Sequence, residues 1–233
     1  MKKLFLTMAL FSLVVSGMNA QKIQLVKLAD TPHKAQGLEV ALTQDGILAV
    51  EARIMAHGEL QQSITDEDGL CTDWYNQSEQ ELVHFLDANF DGYLDIFIGP
   101  GESRTYSSLL LWSPSNNRYE RMGSLGEPGW QNPLFSPNEK AVYMGGSNSA
   151  WEFGFTKYVW RGKRLVVVEE LEYVRDLKDY NRNFPGSRKS HAIVIKDANG
   201  RVKASTNNLK SLPDNWQKVI NATLQQKKKK KNP

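Results

Sequence analysis

The sequence predicts a mostly β protein: antiparallel sheets in a sandwich or propeller-like arrangement, with a hairpin loop at residues 87–95 and a short C-terminal helix. Three observations predict it. Short runs alternate apolar and polar residues, as in Leu38-Glu39-Val40-Ala41-Leu42, which is the period of a half-buried strand. Turn dipeptides, among them Asp45-Gly46, His57-Gly58 and Gly162-Lys163, separate these runs at hairpin spacing. Leu212–Leu224 reads as a short terminal helix, where Pro213 or Asp214 supplies the start.

The elements follow in order. Lys22–Val26 and Leu38–Leu42 read as strands, and Gln44-Asp45-Gly46 turns the chain into Ile47–Ile54. Thr65–Gly69 is an acidic turn, and Ser78–Phe85 fits either a short helix or a strand. In Leu94–Ile98, Leu94, Ile96 and Ile98 share one face and Asp95 and Phe97 the other. Tyr106–Trp112 and Arg118–Met122 form a pair around Ser113–Asn117. Pro128–Glu139, rich in Pro, Gly and Asn, reads as mostly loop. Ala141–Met144, Phe153–Arg161 and Arg164–Val174 are strands. Asp176–Lys189 reads as a loop or linker, and His191–Ile195 with Arg201–Ala204 as a last hairpin. No motif recurs at fixed spacing, so a propeller with one motif per blade is not written here.

The first twenty residues stand apart. Lys2 and Lys3 precede an apolar stretch, Leu4–Val15, and then the small residues Ser16–Ala20. That is the layout of a secretory signal peptide, and the stretch is well short of the ~20 residues of a spanning helix. The expected organisation is a signal peptide over 1–20, one mostly β domain over 21–224 and a disordered basic tail over 225–233. The location is periplasmic or secreted, with no transmembrane segment. Cys71 is the only cysteine, so no internal disulfide is available.

Net charge is +3, but its distribution matters more. Setting aside Lys2, Lys3 and Lys227–Lys231 leaves 22 Lys and Arg against 26 Asp and Glu, a body of −4. No basic stripe of the kind a nucleic-acid partner requires is present.

The sharpest local signal is Asp87-Ala88-Asn89-Phe90-Asp91-Gly92-Tyr93-Leu94-Asp95. Calcium takes about 6–8 oxygens without a fixed geometry. Alternate residues of a tight loop can aim Asp87, Asn89 and Asp91 at one point, and Gly92 permits the bend after them. The Tyr93 carbonyl and the Asp95 carboxylate complete the predicted ligand set for Ca2+. In an EF-hand the twelfth position would carry Glu, whereas here it is Ile98. A shorter loop closed at Asp95 and followed by a strand fits better. The acidic turn Asp66–Asp68 is either an ordinary turn or a second ion site.

Asp87–Asp95 followed by Ile96-Phe97-Ile98 resembles the calcium loops of integrin-type FG-GAP and VCBS repeats. With Tyr106–Trp112, Ser113-Pro114, Arg118-Tyr119-Glu120 and Asn132–Phe135, the stretch resembles exported bacterial proteins carrying a single such loop. That group includes periplasmic inhibitors of invertebrate-type lysozyme and immunity proteins against peptidoglycan hydrolases. The resemblance implies a non-enzymatic protein whose partner is a protein, a cell-wall hydrolase, engaged by an exposed loop. Two segments fit that role: Gly99–Tyr106, with Glu102, Arg104 and Tyr106, and Gly145–Trp151, with Trp151. The plainer reading of each is a hairpin connection, with Tyr106 and Trp151 in the core. No HExxH, CxxC, GxSxG or phosphate-binding glycine loop is written in the chain. The alternative is a calcium-stabilised envelope glycan hydrolase, or a carbohydrate-binding module whose tryptophans line a sugar surface.

Overall fold

A computed structural model describes residues 23–27, 38–45, 48–65, 72–73, 82–99, 107–122, 130 and 133–229. The expected signal peptide, the acidic turn at 66–68, Cys71 and the segment holding Glu102, Arg104 and Tyr106 lie outside these residues.

Among the described residues, three antiparallel sheets follow one another along the chain. The first contains β1 (Ile23–Lys27), β2 (Leu38–Asp45), β3 (Leu48–Ala56) and β4 (Glu59–Thr65) in that order, with β5 (Thr72–Asp73) also on β3. The second is β6 (Val83–Leu86), β7 (Asp95–Ile98), β8 (Ser108–Ser113) and β9 (Arg118–Met122). The third runs from β10 (Leu134–Ser136) through β11 (Ala141–Ser147), β12 (Glu152–Arg161), β13 (Arg164–Val174) and β14 (Ile193–Asp197) to β15 (Val202–Thr206). Within each sheet, β5 aside, neighbouring strands are consecutive in sequence, because short turns favour antiparallel neighbours. His57 (φ 52°) with Gly58, and Gly162 (φ 60°), sit in the left-handed region that such turns require. The chain is thus mostly β with a C-terminal helix, and its sheets stack face to face without closing into a barrel.

The stacking is written in the side-chain alternation of the middle sheet. All four residues of β7 are buried. Ile96 and Ile98, with Leu110 of β8, pack against Val40, Leu42, Ala52 and Ile54 of the first sheet. Phe97, Leu109 and Leu111 point the other way, against Val142, Met144 and Tyr158 of the third. A strand covered on both faces must be apolar at successive positions, and Ile96-Phe97-Ile98 satisfies that. The far face of the third sheet is closed by α2 (Asp214–Lys229). Trp216, Val219 and Ile220, one turn apart, lie on Tyr143, Phe153, Phe155 and Leu171. Trp216 is 1% exposed and meets the Tyr143 ring edge-on at 4.8 Å.

Three expectations change. The helix runs on to Lys229, past the expected end at Leu224 and into the segment read as disordered tail. Asp176–Lys189 contains α1 (Leu177–Asn183), capped by the Asp176 side chain accepting from the Asp179 amide. Pro128–Glu139, expected to be mostly loop, also contributes the three-residue β10. Gly145, Gly146 and Ser147 are not a loop but the end of β11, paired with Phe155, Gly154 and Phe153. Glycine serves close approach there: a Cβ at Gly145 would stand 2.3 Å from the Gly154 carbonyl oxygen.

Candidate functional site

The loop between β6 and β7 is shaped by its own side chains. Phe90 (φ 62°) and Gly92 (φ 91°) take left-handed backbone, which curls the segment around Asp87. The Asp87 carboxylate accepts the Asp91 amide through Oδ1 (3.0 Å) and the Gly92 amide through Oδ2 (2.9 Å). Asn89 Oδ1 also accepts from the Asp91 amide, at 3.1 Å, and Asn89 Nδ2 donates to Asp91 Oδ2 at 2.7 Å. Asp91 Oδ1 takes the Tyr93 amide at 2.9 Å. Short polar side chains bonding the backbone a few residues on are what makes Asx-rich loops fold locally.

Asp95 opens β7 and differs from the others in being fully buried. Its Oδ2 accepts the Ala88 amide at 2.8 Å and its Oδ1 the Trp112 amide at 2.8 Å. One carboxylate therefore ties the start of the loop to β8. Burial above all, and then the Asp91 charge, raise its pKa against the opposing amides of Trp112, Ala88 and Asn89, to about 7 in balance.

Two residues that the loop's own pattern does not reveal complete the base. Tyr119 donates its hydroxyl to the Leu94 carbonyl at 3.2 Å and packs edge-on against Trp112. Burial first, and the Asp95 charge second, push the Tyr119 hydroxyl well up. Trp160 donates Nε1–H to the Ala88 carbonyl at 2.8 Å, fixing the loop to the third sheet. Both are distant in sequence, so only the fold brings them there.

Asp87, Asn89 and Asp91 are thus brought together in one hydrogen-bonded turn, with Asp95 beneath it. The Tyr93 side chain is exposed, and its amide is bonded inside the loop. Among the described residues no three His, Cys, Asp or Glu side chains converge as a ready metal cage. The donor set nevertheless suits a hard cation. Each carboxylate oxygen that accepts one N–H keeps a second lone pair. The buried Asp95, with Asp91 as a neighbouring charge, is also what a divalent ion would neutralise.

Trp151 is half-buried in the turn from β11 to β12 and belongs to none of the three core clusters. Its amide donates to Ser149 Oγ at 3.1 Å, and its carbonyl accepts the Arg175 amide at 3.0 Å. Of the other tryptophans, Trp130 and Trp216 are buried, which is a core role rather than a sugar-binding surface.

No family model and no curated protein matches the chain. Among solved structures it is similar to one titled "Structure of a Xanthomonas Type IV Secretion System related protein". The identity is 14%, covering 82% of this chain and 87% of that one, with a TM-score of 0.41. Among the described residues no helix is long and apolar enough to cross a membrane.

Proposed function

We propose that this chain is an exported, calcium-binding interaction protein without catalytic chemistry of its own, which inhibits a cell-wall hydrolase of the bacterial envelope. The observation that carries the reading is the 87–95 turn seated on the buried Asp95 carboxylate. Asp87, Asn89, Asp91 and Asp95 are the side chains that would hold the ion. Calcium would supply the positive charge that burial and Asp91 together withhold from Asp95. The leader pattern and the resemblance of Asp87–Ile98 to single-loop exported inhibitors support the compartment and the class of partner.

Ordering the turn in advance would lower the entropic cost of docking a partner on the surface around it. The test has two parts. Calorimetric titration of purified protein should show calcium uptake, and calcium should raise the melting temperature of the native chain but not of Asp91→Asn. The same preparation should slow peptidoglycan solubilisation by a purified muralytic enzyme. An equal calcium-dependent shift in the native and Asp91→Asn proteins would remove the loop as the ion site.

A further inference from the structure

A second feature lies away from the 87–95 turn, where two sheets end side by side. Among the described strands, β4 and β9 each have a partner on one flank only, and they border a common groove of 540 Å³. Residues 61–64 form one wall and residues 118–121 the other.

Gln62 spans the gap. Its Nε2 donates to the Tyr119 carbonyl at 2.8 Å, and its Oε1 accepts the Tyr119 amide at 2.8 Å. One residue exchanging both backbone bonds with its partner is what an antiparallel strand does, and here a side-chain amide stands in for it. Tyr119 therefore presents its backbone outward, in strand geometry, to a group that can swing aside. Arg121, two residues on, presents its backbone on the same flank by strand alternation.

The charge of the groove is opposite to that of the body. Arg118 and Arg121 are exposed along it. The one acid in the lining, Glu120, is engaged by Lys163 at 2.6 Å and by Asn116, which together hold its carboxyl down at about 2. The two arginines are left to face an incoming chain, in a body whose net charge is −4 outside the leader and lysine tail.

We propose that this groove receives an extended, acidic segment of the partner protein, which adds to β9 as a further strand by displacing the Gln62 amide from Tyr119. Main-chain bonds would supply affinity, and Arg118 and Arg121 the preference for acidic side chains. The inference rests on the reading of the chain as an interaction protein and names where and by what chemistry the partner docks.

Fluorescence anisotropy on the full chain tests it with three labelled decapeptides: alternating Glu and Thr, the same with Lys for Glu, and the acidic one N-methylated at alternate residues. The acidic peptide should bind about tenfold tighter than the basic one, and N-methylation should abolish binding. Gln62→Ala should strengthen acidic binding about threefold by removing the competitor. Arg118→Glu with Arg121→Glu should invert the preference, and the milder Arg118→Gln with Arg121→Gln should erase it. Equal binding of the methylated peptide, no binding of the acidic one, or indifference to both sets of variants would overturn the proposal. Hydrolase inhibition that persists without peptide binding would discard the groove and leave the interaction reading intact. A failed calcium titration would leave the peptide results standing, since Gln62, Arg118 and Arg121 lie outside the loop.

Discussion

Asp95→Asn is the perturbation that tests the account of the loop most directly. The native carboxyl is fully buried and titrates at about 7 rather than at 3.8. A carboxyl whose folded pKa is raised binds its proton more tightly folded than unfolded. Its favourable contribution is therefore complete below the unfolded pKa and is lost as pH climbs through the folded one. Between pH 5 and pH 7 that loss is about 3 kcal/mol, at ~1.36 kcal/mol per unit. The amide of Asn cannot ionise, so this part of the pH dependence vanishes in the variant. Its carbonyl can still accept from either Ala88 or Trp112, but the other N–H then faces an NH2, which costs about 1–3 kcal/mol. In metal-free protein the variant should be the less stable form at pH 5 and draw level with, or pass, the native chain at pH 8. Urea unfolding followed by tryptophan fluorescence reads both, and added calcium should restore the native advantage at pH 8. A stability difference between the two proteins that stays constant from pH 5 to pH 8 would refute the argument.

Two further outcomes follow from the packing. Trp216→Ala removes the largest buried side chain of α2 from its place against Tyr143 and should cost about 3–5 kcal/mol in urea unfolding, with loss of near-ultraviolet dichroism. Gly145→Ala places a methyl 2.3 Å from the Gly154 carbonyl and should lower stability by about 1–3 kcal/mol, read as an earlier melting transition, whereas Gly58→Ala, with open space around it, should cost less despite its φ of 81°.

Legibility in the sequence depended on how local each cause is. β9 and β13 are readable end to end, because Asn116-Asn117 and Gly162-Lys163 punctuate them and the run of β-branched and apolar residues Leu165–Val168 favours a strand. The 87–95 turn was readable because its bonds run between residues two to five apart. α1 was not, since Tyr180 is its one buried residue and no apolar stripe forms; the Asp176 cap was its only mark. Gly145-Gly146 misled because glycine marks close backbone approach as readily as it marks a turn. The anchoring of the turn by Tyr119 and Trp160, and the groove at Gln62, arise where distant strands meet, and nothing in the local pattern announces them.

The order of the layers along the chain has a consequence for how the molecule assembles. Each sheet is built from neighbouring segments, so each can form as its own stretch of chain becomes available, without long-range loop closure. The middle sheet cannot be finished that way. Until the third sheet arrives, Phe97, Leu109 and Leu111 lack the Val142, Met144 and Tyr158 side chains they lie against, and until α2 docks, Phe153, Phe155 and Leu171 remain wet. A nascent or C-terminally clipped molecule would therefore carry a broad greasy sheet face, and such species are prone to self-association before they are prone to anything else.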